Sequence, residues 1–165
     1  MNKKVKLKIG VIIEDKEGKV FLQKEKFSAN IEHKWNFITG SFEEKDGSMI
    51  RTAIRECQEE ANIEVNLTGV FKILTVNKPD SYRIYVIFTA EPLSDHSISH
   101  PSLQEKFGED IIEQKWFTKK EILAIDEKDF VTASLSSTIR QYADDDTNIL
   151  MPVSNIQHFG EEIYN

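Results

Sequence analysis

The segment Arg55-Glu56-Cys57-Gln58-Glu59-Glu60 lies within a longer stretch, GSFEEKDGSMIRTAIRECQEEANIEV, and sets three carboxylates three and four residues apart. On a helix, Glu56, Glu59 and Glu60 fall on one face, where each like-charged pair costs roughly a few tenths of a kcal/mol. That repulsion needs an offset. Solvation of a charged surface is one, and a bound cation is another; on an arbitrary helix the first is the commoner. At about 100° per residue, Ile50, Ala53, Ile54, Cys57 and Ala61 gather on a different side of the wheel. The helix is therefore expected to dock on a sheet through those apolar residues and to turn its glutamates toward a cleft or solvent.

The elements that must position this helix alternate between strands and helices. Residues 5–13 and 19–24 are rich in Val, Ile, Leu and Phe around the turn DKEGK, which predicts a hairpin. A short strand is expected from Trp35 to Ile38, a strand pair from Val70 to Val76 and Tyr82 to Ala90 around NKPDS, and a last strand from Glu113 to Phe117. Ser48 is a plausible N-cap for a helix reaching about Ala61. A second helix starts at Thr118, where TKKE offers a capping box with Glu121, and a third spans roughly Glu127 to Tyr142 before DDDTN. Antiparallel strands mixed with helices predict a mixed β-sheet covered on both faces.

The 165-residue chain matches one domain and is long enough to bury roughly 70% of the surface its unfolded form exposes. Its formal net charge of -7 argues against general binding to nucleic acid or anionic membranes. An acidic protein that handles phosphates needs metal cations. Cys57 is the only cysteine, so no intramolecular disulfide forms, and the chain fits a reducing cytoplasm. The apolar run after the basic N-terminus stops at Glu14 and Asp15, far short of a signal core or a membrane span. No repeat, low-complexity tract or Pro/Gly-rich linker divides residues 1–165.

The whole stretch resembles the signature of the Nudix (MutT-like) hydrolases, a loop-helix-loop. Arg55, Glu56, Cys57, Glu59, Glu60 and Ile63 match its second half. In WNFITGSFE, Trp35, Gly40 and Glu43 match the lead-in. The halves do not join at the usual spacing: counting back from Arg55 puts Gly47 where the family has a glutamate, and counting forward from Gly40 puts Asp46 there. A one-residue insertion between about Glu44 and Ser48 accounts for this. Ile38 and Thr39 replace the usual Pro-Gly, and Asn62 replaces the glycine after the glutamate pair, a mild change because Asn tolerates the left-handed conformation. The resemblance runs from the first strands through EQKWFTKKEIL and implies an α/β/α sandwich with a mixed sheet.

It also implies an activity. Hydrolysis of a phosphoanhydride brings water to a highly charged polyanion, so the protein contributes chiefly positioning and charge neutralisation. Mg²⁺, with Mn²⁺ as a substitute, takes oxygen ligands, keeps several waters and lets substrate phosphates complete its shell, so a few carboxylates on one rigid helix suffice. By resemblance, Glu56 and Glu60 are the leading metal ligands and Glu59 the next, with a backbone carbonyl near Thr39 or Gly40. Arg55 orients the glutamates and Glu43 lies near the metals. For the base, the family uses the signature helix or a later loop, which here offers Glu105, Glu109 and Asp110. Gly40, Trp35 and Tyr82 are candidate substrate contacts; Trp35, Phe37 and Tyr82 can stack on a base or pack into the core. The expected substrate is a small molecule, a nucleoside triphosphate or a nucleoside diphosphate linked to another group. The alternative is a Nudix-fold module that binds a nucleotide without cleaving it. His33, His96, His100 and His158 lack metal-ligand spacing, DKEGK lacks the calcium-loop series, and Cys57 reads as a packed thiol.

Overall fold

A computed structural model describes residues 3–26, 32–94, 111–144 and 149–157. Among the described residues seven strands form two sheets: β1 (Lys4–Ile13), β2 (Lys19–Lys26), β3 (His33–Asn36), β4 (Ile38–Ser41), β5 (Val65–Asn77), β6 (Ser81–Pro92) and β7 (Ile111–Thr118). One sheet is mixed, in the order β4-β1-β6-β5, with β1 parallel to β6 and antiparallel to β4. The other, β3-β2-β7, is antiparallel throughout.

The turn after Glu14 is closed by Gly18 N–H to Asp15 O and Asp15 N–H to Lys19 O, but the two strands it joins part after a single bridge between Glu14 and Val20. The predicted hairpin is thus a corner between sheets. Its tight turn was legible locally, whereas the pairing of β1 with β6 and of β2 with β7 rests on partners more than 70 residues away.

Period-two alternation then divides the interior. Ile9, Val11 and Ile13 of β1 and Phe21 of β2 share one core with Ala53, Cys57 and Ala61. Ile12, Val20 and Leu22 share the other with Ile122, Leu135 and Ile139. The signature helix α1 (Met49–Glu56) therefore covers one side. Helices α2 (Lys119–Ala124) and α3 (Ala133–Asp144) cover the other, a mixed α+β arrangement.

The capping signals act as expected. Ser48 Oγ accepts from Arg51 N–H at 3.2 Å, and Thr118 and Glu121 form a reciprocal capping box. The helix predicted from Glu127 begins instead at Ala133: Glu127–Asp129 is a single 3-10 turn, and Phe130 breaks to extended backbone and buries its ring. Beyond Glu56, α1 widens into a π-helical turn, Cys57–Ala61, that ends with Asn62 in the left-handed conformation at φ 53°.

The rotation of α1 departs from the simple wheel. Thr52, Ala53, Glu56, Cys57, Glu60 and Ala61 are buried, whereas Ile54 is 43% exposed. The inward face is thus centred nearer Glu56 than its apolar residues suggest, because the strand beneath it presents a glycine, Gly40, and leaves room for a carboxylate. Ile9→Ala, at a fully buried position, is expected to cost about 2–5 kcal/mol. Ile54→Ala should cost less than about 1 kcal/mol. Urea denaturation of the two variants checks this, and an equal loss from both would contradict the observed rotation.

Candidate active site

Gly40 sits on β4 opposite Ile9 of β1, directly below α1. A Cβ built there would overlap the Glu56 carboxyl group, so the bare backbone is the space into which Glu56 folds. Glu56 and Glu60 are only 5% and 4% exposed. Glu60 Oε2 accepts from Gln23 Nε2 at 2.6 Å, and its backbone carbonyl accepts from Gln114 Nε2 at 2.7 Å. Gln23 occupies the position after next from Phe21, on the face of β2 that looks toward α1, which is why an amide stands where an apolar residue would otherwise pack. The π-helical turn between the two glutamates widens the spacing of the last carboxylates, a device frequent at functional sites.

Arg55 ties the site together. Its Nε donates to Asp46 Oδ1 at 2.8 Å, Nη2 donates to Asp46 Oδ2 at 2.9 Å, and Nη1 donates to Glu59 Oε2 at 2.7 Å. Nη2 also lies 2.8 Å from Glu56 Oε1 and 3.9 Å from Glu43 Oε1. The guanidinium thereby holds three acidic side chains directly and reaches a fourth. Its own pKa is raised further, first by the Asp46 hydrogen bond, against the opposing effect of burial.

Asp46 resolves the spacing problem in the signature. Residues Glu44–Asp46 form a 3-10 turn, and Gly47, at φ 70°, takes the left-handed conformation that returns the chain to Ser48. This knot absorbs the additional residue and delivers the buried Asp46 carboxylate to Arg55 and to Thr52 Oγ1, which donates at 2.9 Å. The Arg55 hydrogen bond is the main cause that lowers Asp46 from 3.8 to about 2.

Above α1 and β4 opens a cleft of about 460 Å³. Glu43, Arg55, Glu56, Glu59, Glu60 and Gly40 all line it, so the charged residues of the signature meet there over the glycine, while its Cys57 and Ile63 pack into the core. Lys8, Glu25 and Lys45 line it too. Sequence reasoning missed them; Lys45 stands in the turn before α1, Glu25 on β2, and only the pairing of β1 with β4 brings Lys8 near, where its Nζ donates to Ser41 Oγ at 2.6 Å. Trp35 packs edge-on against Phe117, with ring centroids 4.8 Å apart, and Tyr82 is 39% exposed on β6; neither is among the residues lining the cleft. Glu105, Glu109 and Asp110 lie outside the described residues.

The carboxylates lining this cleft are hard oxygen donors. They suit Mg²⁺ or Mn²⁺ better than Zn²⁺, for which thiolate and imidazole are the usual partners. Among the described residues no three His, Cys, Asp or Glu side chains form a preformed metal cage. Mg²⁺ does not require one, since waters and substrate phosphates fill much of its shell. The Glu56 carboxylate lying against bare Gly40 backbone fits such partial coordination.

Two sheets between helices, with a glycine-floored carboxylate cleft organised by one arginine, form the arrangement expected of a phosphoanhydride hydrolase of the Nudix type. The NUDIX domain profile matches residues 4–137, and the chain belongs to this family. Its fold is similar to that of a NUDIX hydrolase from Nitrosomonas europaea (TM-score 0.75, 19% identity, covering 94% of this chain and 98% of that one). It is also similar to the MutT protein from Methanosarcina mazei Go1 (TM-score 0.67, 17% identity, 89% and 99% covered). A third similar structure is the E. coli dihydroneopterin triphosphate pyrophosphohydrolase (TM-score 0.62, 17% identity, 86% and 99% covered). Compared by sequence with curated proteins, the chain has no significant match.

Two expectations follow from this geometry. Gly40→Ala displaces the Glu56 carboxylate from its seat, and should reduce turnover by on the order of a hundredfold while the thermal transition stays sharp; steady-state kinetics beside a melting curve would reveal a harmless substitution. Asp46, held at about 2 rather than 3.8, contributes stability that is complete above about pH 4 and is lost as the pH falls toward 2. Urea unfolding of wild type and Asp46→Asn should therefore differ near neutrality and converge toward pH 2; a difference that persists there would assign Asp46 another role.

Proposed function

We propose that this protein is a Mg²⁺-dependent pyrophosphohydrolase, with Mn²⁺ able to substitute, that cleaves a phosphoanhydride bond in a nucleoside triphosphate or a nucleoside diphosphate linked to another group. The observation that carries the reading is the pair of buried carboxylates, Glu56 and Glu60, at the floor of an open cleft beside side-chain-free backbone at Gly40. The family generally uses a divalent metal ion. One structural relative is a dihydroneopterin triphosphate pyrophosphohydrolase.

In this reading Glu56 and Glu60 hold the ion, and Glu59 contributes from the cleft wall. Bound there, the ion supplies charge neutralisation for the phosphates and acidifies the attacking water. Arg55 fixes the rotamers of Glu56 and Glu59, so that little reorganisation is needed when substrate arrives. Gln23 holds the Glu60 carboxylate by one oxygen. Gly40 admits close approach of the phosphates to β4. Trp35 and Tyr82 are proposed substrate contacts, and Glu109, outside the described residues, is the proposed base. The chain acts as one domain on a small-molecule substrate, without nucleic acid. No helix among the described residues is long and apolar enough to cross a membrane, and the single buried Cys57 thiol suits the reducing cytoplasm.

A phosphate- and pyrophosphate-release screen over nucleotides, with and without Mg²⁺, tests the reading. Turnover should require the cation, and Glu60→Gln should lower it by on the order of a hundredfold or more while leaving the fold intact. Nucleotide binding without release of any phosphate species would instead indicate a binding module.

A further inference from the structure

A second cavity of about 330 Å³ adjoins the cleft and shares Lys8, Glu25 and Thr39 with it. Its balance of charge is the reverse of the first, with three cations to the single carboxylate of Glu25. Lys8 from β1, Lys78 from the turn before β6 and Arg83 from β6 converge on it, in a protein whose net charge is -7. Among the described residues none of these three cations has a carboxylate partner in an ion pair. The Arg83 Nε is shielded from solvent and makes no hydrogen bond, and the same holds for Asn36 Oδ1 on the neighbouring wall. Burial and then the Arg83 charge both lower the Lys8 pKa. Unpaired cations gathered in this way repel one another, as the glutamates next door do, and an anion relieves that repulsion. Tyr85, Val131 and Leu135 also line it and supply its apolar surface.

We propose that this cavity is a substrate subsite for a phosphate-bearing group beyond the diphosphate held in the cleft, so that the substrate is of the nucleoside triphosphate kind rather than a nucleoside diphosphate joined to a neutral sugar. The assignment rests on the reading of the cleft as the cleavage site. Lys8 lines both cavities and faces the phosphate at their junction. Arg83 and Lys78 take the additional negative charge, Arg83 with a fork of donors suited to phosphate oxygens.

The test compares kcat/KM for nucleoside triphosphates and for nucleoside diphosphate hexoses, in wild type, Arg83→Gln and the conservative Arg83→Lys. Wild type should prefer the triphosphates. Arg83→Gln should raise KM for the triphosphate about tenfold more than KM for the diphosphate hexose, as expected for loss of one charge-assisted contact, and Arg83→Lys should recover part of it. A preference for the neutral-ended substrate, or an equal effect of Arg83→Gln on both, overturns the subsite while leaving the hydrolase reading standing. Calorimetric titration with an imido-bridged, non-hydrolysable triphosphate separates the two readings. If no phosphoanhydride is cleaved yet the analogue binds in an Arg83-dependent way, the catalytic reading falls and the subsite stands; absent or Arg83-independent binding overturns the subsite. Melting curves of each variant exclude loss of fold as the cause.

Discussion

One guanidinium holds the acidic face of this molecule together. Arg55 contacts Asp46, Glu56 and Glu59 within 2.9 Å, and it does so from a position only 18% exposed, where water screens the carboxylates poorly. Without it, those acids would repel one another around a half-buried floor. With it, they share a fixed cation whose planar fork dictates where each oxygen points. The network also ties the loop before α1 to the helix itself, since Asp46 comes from the 3-10 turn and the others from the helix. Loop and helix are thus coupled by charge as well as by the chain.

The second constraint is steric. A buried carboxylate needs both a partner and a space, and Gly40 supplies the space. The strand pairing that sets Gly40 opposite Ile9 therefore determines which face of α1 turns inward. Apolar burial alone would have favoured Ile54 as an inward residue, yet it stays 43% exposed while Glu56 and Glu60 are buried. Hydrophobic packing at Ala53, Cys57 and Ala61 anchors the helix, and the small size of two of those side chains lets α1 lie close to the sheet. Close approach in turn brings the glutamates over β4.

The two sheets divide the labour. The mixed sheet carries β4 and the cleft floor; the antiparallel sheet contributes Gln23 and Gln114, which grip Glu60 from below. Because β1 and β2 leave a common turn for different sheets, the site lies where the sheets meet. Lys8, Glu25 and Thr39 line both cavities, so cations from β1 and β6 lie near the acids of α1.

Much of this was legible in the chain. The spacing of Arg55, Glu56, Glu59 and Glu60, the Ser48 and Thr118 caps, and the left-handed Asn62 are local properties, set by backbone sterics and hydrogen bonding within a few residues, and they appear as the sequence predicts. The family resemblance rested on the same short-range pattern. What the chain could not declare by itself was anything that depends on distant partners. The corner between β1 and β2, the inward rotation of Glu56 and the convergence of Lys8, Lys78 and Arg83 all follow from long-range strand pairing, whereas the seating of Asp46 against Arg55 follows from the 3-10 turn before α1. Periodicity along a helix reports which residues prefer burial. Only the surface beneath the helix, here one glycine wide, decides which of them obtain it.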